Sequence, residues 1–251
     1  MYKHAIVRKP SYRLLHGIST VELGTPDYIT ALKQHASYIK TLETCDLSVT
    51  VLPADDNYPD STFVEDTAVL MDNGAVITNL GAESRKGEEE NIRTALEKYF
   101  TRIKKIHPPG TLEGGDVMRA ENHFFIGMSH RTNKEGARQL RTILEKDDYQ
   151  TTIVRVNEML HLKSGVEYLG DNTIAATGEL LEKPAFESFN IIEIDNTYAT
   201  DFLKVNEYIM LLEGFPRVKR LLEDVGFTTK TVNISEFKKL DAGLSCLSLL
   251  F

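Results

Sequence analysis

Three segments of this chain resemble one another: FVEDTAVLMDNGAVITN, LEGGDVMRAENHFFIGMS and LHLKSGVEYLGDNTIAATG. Each opens on a polar or glycine-rich corner, runs on as an apolar strand, turns at an asparagine and returns as a second apolar strand. The turn residues Asn73, Asn122 and Asn172 recur at intervals of about fifty residues. Asparagine tolerates the left-handed backbone that tight hairpins need. A chain of 251 residues has room for about five such units, which either stack linearly or close radially. Radial closure makes one domain around a central axis, with the degenerate first and last units shared between the termini. Coincidental spacing in an ordinary α+β chain is the competing explanation.

Helical patterns fill the gaps. Thr25 caps a first helix with Pro26 at its first position, and Ile29, Leu32, Ala36, Ile39 and Leu42 form its apolar stripe. After Gly87, the acidic Glu88, Glu89 and Glu90 load a second helix start, with Ile92, Ala95, Leu96 and Tyr99 facing inward. Asn133 caps a third, which buries Ala137, Leu140, Ile143 and Leu144. Pro216 opens a fourth, with Val218, Leu221, Leu222 and Val225 on one side and Gly226 just past its end. Strands such as DLSVTVLP and TTKTVNI follow helices, so the unit reads hairpin, helix, strand and the fold class is α/β.

Composition narrows the function. The chain is 41% hydrophobic and 26% charged, as in ordinary globular proteins. Its net charge of −8, with no block of Lys and Arg, is the wrong sign for a nucleic-acid binder. No apolar run is long enough for a membrane span, and MYKHAIVRKP lacks a signal-peptide core. Two cysteines, Cys45 and Cys246, make no disulfide framework and suit a reducing cytoplasm.

The polar residues that stand out occupy equivalent places, just before or within the first hairpin strand. They are Asp60, Glu65 and Asp66, then Glu113 and Asp116, then His161, then Cys246. Singly, each has a bland reading. Cys246 is a buried small hydrophobe, His161 a structural histidine, and Asp116 a brace for local backbone. Gly114 and Gly115 serve a tight turn, and Arg85 and Arg131 are solvated surface charges. Together they suggest chemistry, because closure of the ring brings equivalent corners to one end of its axis. A thiol with pKa of about 8.5 is barely ionised at neutral pH and needs a proton-transfer partner to act as a nucleophile. Histidine is the usual partner, and a carboxylate such as Glu113 holds its imidazole in one tautomer. The further carboxylates suit a planar cation with several N–H donors, a guanidinium. Two arginines then grip a carboxylate at the other end of an amino acid.

PDSTFVED, GAESRKGE, TLEGGDVM, RTNKEGARQL, LHLKSG and GLSCLSL, in this order, resemble the dimethylarginine dimethylaminohydrolase family, close to its short bacterial members. The resemblance runs from YKHAIVRKP to the last residue. It implies the pentein, or guanidino-group-modifying, fold: a five-bladed α/β propeller of ββαβ units, here one catalytic domain over residues 1–251. It implies Cys246 as nucleophile, His161 as general acid and base, and Glu113 orienting the imidazole. Glu65 and Asp66 would hold the guanidinium, with Asp60 lining the same pocket. Arg85 and Arg131 would bind the substrate carboxylate. The backbones around Ile18 and Leu240 would meet the α-amino-acid end, and Ser245 would support the site. LLHGISTVELG, which carries Ile18 where the family commonly has leucine, would be a mobile lid.

The implied reaction is hydrolysis of Nω-methylated L-arginine to L-citrulline and an alkylamine through an S-alkylthiouronium on Cys246. It needs no metal or other cofactor, and a homodimer is one expected assembly. An arginine deiminase of the same fold is the nearest rival. The deiminases it would resemble are longer and carry an Asp two residues after the histidine, where this chain has Lys163. A non-catalytic pentein binding protein is the rival from another class. A papain-like protease has its cysteine before its histidine, the reverse of the order here.

Overall fold

The structure, a computed structural model, describes residues 1–195 and 201–251. The chain divides into two compact units, Met1–Val64 with Asp201–Phe251, and Glu65–Thr200. In chain order the first unit contributes β1 (His4–Arg8), α1 (Tyr28–Glu43) and β2 (Ser48–Leu52). The second unit follows with β3 (Ala68–Met71), β4 (Gly74–Ile77), α2 (Glu88–Leu96) and β5 (Ile103–Lys105), then β6 (Val117–Ala120), β7 (His123–Met128), α3 (Lys134–Glu145) and β8 (Gln150–Arg155), then β9 (Val166–Gly170), β10 (Thr173–Ala176) and β11 (Asn190–Glu193). The chain returns to the first unit with β12 (Leu203–Val205), β13 (Tyr208–Leu212), α4 (Pro216–Asp224), β14 (Thr228–Val232), α5 (Ser235–Lys238) and β15 (Leu249–Leu250).

The strands form five three-stranded sheets of one pattern: β15-β1-β2, β3-β4-β5, β6-β7-β8, β9-β10-β11 and β12-β13-β14. In each, an antiparallel pair is followed by a parallel third strand reached through a crossover. The expected sharing between termini is present, because C-terminal β15 pairs antiparallel with β1, Ala5 opposite Leu250. Four crossovers carry an α-helix. The one between β10 and β11 does not; two 3₁₀ turns, Gly178–Leu180 and Pro184–Phe186, replace it. Gly178 has φ of +53° and Pro184 lacks an N–H, and both interrupt α-helix.

Several expected details differ. Asp27, not Thr25, caps α1, its side chain accepting from the Thr30 N–H. The buried face of α1 is Ala31, Gln34, His35, Tyr38 and Leu42, while Ile29 and Ala36 are exposed. Polar residues displaced apolar ones because most of their polar atoms are paired. Gln34 Nε2 donates to Asn233 Oδ1 and Ser235 Oγ, and the Tyr38 hydroxyl donates to the Leu244 carbonyl. In α2, Glu88 and Glu89 are buried with Ile92, Ala95 and Leu96, and Tyr99 falls beyond the helix, exposed. In α4 only Leu222 is buried, and Leu221 and Val225 face outward. Asn133 does cap α3, accepting from the Gly136 N–H.

The turn asparagines recur for a reason other than backbone alone. Asn172 has φ of +54°, but at the preceding hairpin the left-handed residue is Glu121, not Asn122. What Asn122 and Asn172 share is a side-chain amide that donates to the loop entering the third strand, at the Asp148 and Ser188 carbonyls. A further turn asparagine, Asn206 between β12 and β13, uses its amide differently, donating to the Tyr2 and Cys45 carbonyls ahead of β1 and β2. It escaped the repeat because it breaks the spacing.

The 3₁₀ turns Val64–Thr67, Gly114–Asp116, Leu162–Ser164 and Ser245–Leu247 stand just ahead of β3, β6, β9 and β15. These turns, with the residues that begin them, carry Glu65, Asp66, Glu113, His161 and Cys246.

His35 on α1 has a consequence for stability. It is 3% exposed, and its Nε2 has no hydrogen-bond partner among the described residues. Burial lowers its pKa to about 4 from the ordinary 6.5, against a backbone hydrogen bond at Arg8. The unfolded chain therefore binds a proton between pH 6.5 and 4 that the folded chain refuses, and stability falls as pH drops through that window. Urea unfolding of wild type and His35→Leu at pH 7 and pH 4 should show the variant gaining about 3 kcal/mol relative to wild type on going to the lower pH. A pH-independent difference would contradict this account.

Candidate active site

In the second unit, a charged cluster is buried where an apolar core would be expected. Glu113 is fully buried. Its Oε1 accepts from the Gly81 and Ala82 N–H groups, at 3.0 Å each, and lies 3.5 Å from Arg131 Nη1. Its Oε2 is 2.8 Å from His161 Nε2. Burial alone would raise the pKa of Glu113, but the His161 hydrogen bond and charge, with Arg85 and Arg131, bring it down. An ionised carboxylate only accepts, so Nε2 carries the proton and donates. Burial likewise opposes the imidazolium, yet Asp66, Asp116 and Glu113 outweigh it and lift His161 to about 9. His161 is thus held as a cation at neutral pH.

Asp66 extends the cluster. Its Oδ1 accepts from the Gly115 N–H at 3.0 Å and lies 4.0 Å from His161 Nε2. Its Oδ2 meets Arg85 Nη1 at 2.5 Å. Arg85 is no solvated surface charge: it is 5% exposed, and its other edge grips Glu88 through Nε and Nη2. The two glycines serve close approach rather than turn conformation, since neither has a positive φ. A Cβ on Gly115 would stand 2.8 Å from His161 Nδ1, and one on Gly114 would stand 2.0 Å from the Glu65 carbonyl oxygen. Glu65 itself turns to a different partner, Lys163 Nζ, at 2.6 Å, with Glu167 3.6 Å from the same amine.

Asp66, Glu113 and His161 bring ligand-type atoms within 4.8 Å of one another. In this hydrogen-bonded arrangement the same atoms are engaged with N–H donors and with one another.

The first unit carries the remaining expected residues. Cys246 is half-buried on its 3₁₀ turn, and its Sγ accepts from the Gly243 N–H at 3.3 Å. Ser245 beside it is buried. Asp60 Oδ1 accepts from the Ile18 N–H at 3.0 Å. A Cβ on Gly17 would lie 2.8 Å from Asp60 Oδ1 and 3.0 Å from a Leu240 methyl, so Ile18, Asp60 and Leu240 converge there. The segment after Ile18 is tied down: the Ser19 hydroxyl donates to the Lys239 carbonyl at 2.7 Å and the Thr20 N–H to Asp241 Oδ2 at 2.5 Å.

Comparison with known proteins adds the decisive observation. The family model described as N,N dimethylarginine dimethylhydrolase, eukaryotic, matches residues 28–194. The N(G),N(G)-dimethylarginine dimethylaminohydrolase of Pseudomonas aeruginosa is 44% identical over 254 residues, covering 100% of both chains. The chain belongs to the dimethylarginine dimethylaminohydrolase family. A crystal structure of the Pseudomonas aeruginosa enzyme, a cysteine-to-serine mutant complexed with citrulline, matches with a TM-score of 0.98 over 100% of both chains. A dimethylarginine dimethylaminohydrolase structure with a histidine replaced by glycine, an adduct with S-methyl-L-thiocitrulline, matches equally over both full chains. The five three-stranded sheets and this likeness show the fold class that the resemblance implied, an α/β five-bladed propeller; the repeat by itself had left linear stacking open. These relatives are dimethylarginine dimethylaminohydrolases, not deiminases or binding proteins.

Two residues of the cluster, Glu88 and Lys163, were not legible as site residues, and a third, Asp116, stood among the corner residues without a role of its own. Glu88 read only as charge at a helix start, although its place three residues after Arg85 hinted at pairing. Lys163 read as the lack of an acceptor, not as the partner of Glu65. Asp116 read as a local brace, whereas it reaches the Leu162 N–H.

The His161 shift has a testable sign. An unfolded histidine releases its proton near 6.5 and the folded one near 9, so the stabilisation is full below 6.5 and is lost as pH rises through 9. Urea unfolding at pH 6 and pH 9.5 should show this alkaline loss in wild type and a much smaller one in Glu113→Gln. Equal losses would mean that Glu113 does not hold the imidazolium.

Proposed function

We propose that this chain hydrolyses Nω-methylated L-arginine to L-citrulline and di- or monomethylamine, as one catalytic domain over residues 1–251, with Cys246 as nucleophile. The observation that carries the reading is the buried Glu113–His161 pair, which keeps a proton on a histidine in a family of guanidine hydrolases. A guanidinium carbon is a weak electrophile because its charge is delocalised. Asp66, Glu65 and Asp60 keep the substrate guanidinium protonated and oriented. The Cys246 thiolate adds to the guanidinium carbon. His161 then gives its proton to the departing dimethylamine, the C–N bond breaks, and an S-alkylthiouronium remains on Cys246. Now neutral, His161 takes a proton from water. The hydroxide adds to the same carbon, the C–S bond breaks to restore the thiolate, and the new hydroxyl gives up its proton to the released amine or solvent as citrulline leaves. The thiocitrulline adduct of the histidine-to-glycine relative supports a covalent course of this kind.

Arg131 and Arg85 read the substrate carboxylate, Arg85 only by exchanging one of its present partners, Asp66 or Glu88, for it; the backbones of Ile18 and Leu240 meet the α-amino-acid end, and Ser245 supports the nucleophile. Lys163 favours methylated substrates. Its ammonium lies on Glu65 Oε1 and occupies an acceptor that an unmethylated guanidinium N–H could use. A dimethylated nitrogen has no N–H to lose there, whereas each buried unpaired donor costs about 1–3 kcal/mol.

The substrate is a small molecule, and the reading involves neither nucleic acid nor membrane; no described helix is long and apolar enough to cross a bilayer. A nucleophilic thiolate must stay reduced, which suits a cytoplasmic enzyme. A homodimer is the assembly to look for by light scattering.

Citrulline release from arginine, monomethylarginine and asymmetric dimethylarginine in one buffer tests the substrate. The methylated compounds should exceed arginine in kcat/KM by roughly tenfold or more. Arginine proving best would overturn the substrate while leaving the Cys–His chemistry in place. Cys246→Ser should lower kcat by roughly 10³-fold or more with its melting temperature near that of wild type. Turnover within tenfold of wild type would remove Cys246 from the role.

A further inference from the structure

We propose that Asp116 is the positioning residue of this site, aligning Glu113, Arg131 and His161 from one fully buried carboxylate. Its side chain touches none of the reacting groups, so it acts through others, and its catalytic consequence rests on the function proposed above. Asp116 Oδ1 accepts from the Leu162 N–H at 3.0 Å, on the residue directly after His161. Its Oδ2 accepts from the Ser129 hydroxyl at 2.6 Å. Ser129 Oγ in turn accepts from the Arg131 N–H at 3.0 Å and the Thr132 N–H at 3.2 Å. The Thr132 side chain also hydrogen-bonds Asp116, and its Oγ1 accepts from the Glu113 N–H at 3.1 Å. Three segments distant in sequence are therefore fixed to one another at this point.

The polarity of the network depends on the carboxylate. A hydroxyl has one proton to donate. Ser129 and Thr132 direct theirs at Asp116, which leaves their oxygens to accept from backbone N–H groups. Every group aimed at the Asp116 oxygens is a donor, which is a carboxylate's environment. The side chain is also clamped: a Cβ on Gly127 would lie 2.9 Å from Asp116 Oδ1 and 2.9 Å from Leu162 Cβ. Burial raises the pKa of Asp116, and the His161 charge with the Ser129, Thr132 and Leu162 hydrogen bonds works against that rise; as a carboxylate it joins Asp66 and Glu113 in favouring the imidazolium of His161, while Arg85 and Arg131 face Glu113.

Asp116→Asn keeps the shape and an oxygen for the Leu162 N–H, but removes the charge and points an amide at hydroxyls that need an acceptor. The first readout needs no substrate: the titration of His161 by NMR in full-length, ¹³C-histidine-labelled protein, assigned with His161→Gln. The midpoint should fall by about one pH unit. In the same variant, kcat/KM for asymmetric dimethylarginine should fall roughly tenfold or more, with the alkaline limb of its pH profile moving the same way. A folded Asp116→Asn with an unmoved His161 titration overturns the proposal. If Asp116→Asn does not fold, Ser129→Ala decides. It removes the bridge to Arg131 and Thr132 alone and should raise KM for asymmetric dimethylarginine roughly tenfold with a smaller change in kcat; an unchanged KM overturns the proposal. Wild type inactive on methylated arginines would refute the function, while the NMR titration still reports on Asp116.

Discussion

The ion pair between Glu113 and His161 is the interaction around which the second unit is organised. Two charges taken out of water cost several kcal/mol each unless their remaining donors and acceptors are matched. The chain matches them. Glu113 receives two backbone N–H groups on one oxygen and the imidazole on the other. Arg85 is spanned by Glu88 and Asp66. Three carboxylates, Asp66, Glu88 and Glu113, stand with three cations, Arg85, Arg131 and His161, and Asp116, whose pKa burial raises, adds a fourth carboxyl group.

That cluster depends on the repeat. In three successive sheets of the unit, a 3₁₀ turn leads into the first hairpin strand. Asp66 lies within one such turn, and Glu113 and His161 immediately precede the next two. A short turn anchored to a strand gives a side chain little freedom. Gly114 and Gly115 then let neighbouring turns approach to distances that any Cβ would prevent. The same device in the first unit carries Ser245 and Cys246.

The pairing also explains why single-residue readings of the chain went astray. Arg85, which alone reads as a surface charge, is buried because two carboxylates compensate it. Gln34 and Tyr38 lie on the buried face of α1 because partners elsewhere in the first unit satisfy them, and a hydropathy pattern cannot register such partners.

The hairpins, the crossover helices at α1 to α4 and the corner residues Asp66, Glu113, His161 and Cys246 were legible in the chain alone. Period-two and period-3.6 patterning and the recurrence of like segments are properties of local sequence. The helix-free crossover after β10, the rotated face of α1, the partners of Arg85 and Lys163 and the reach of Asp116 were decided only by tertiary structure. Each of these depends on which group across the fold can accept or donate to a buried polar atom. That is a matter of three-dimensional proximity, and Asp116 meeting the N–H of Leu162 from a different sheet's corner is a case of it.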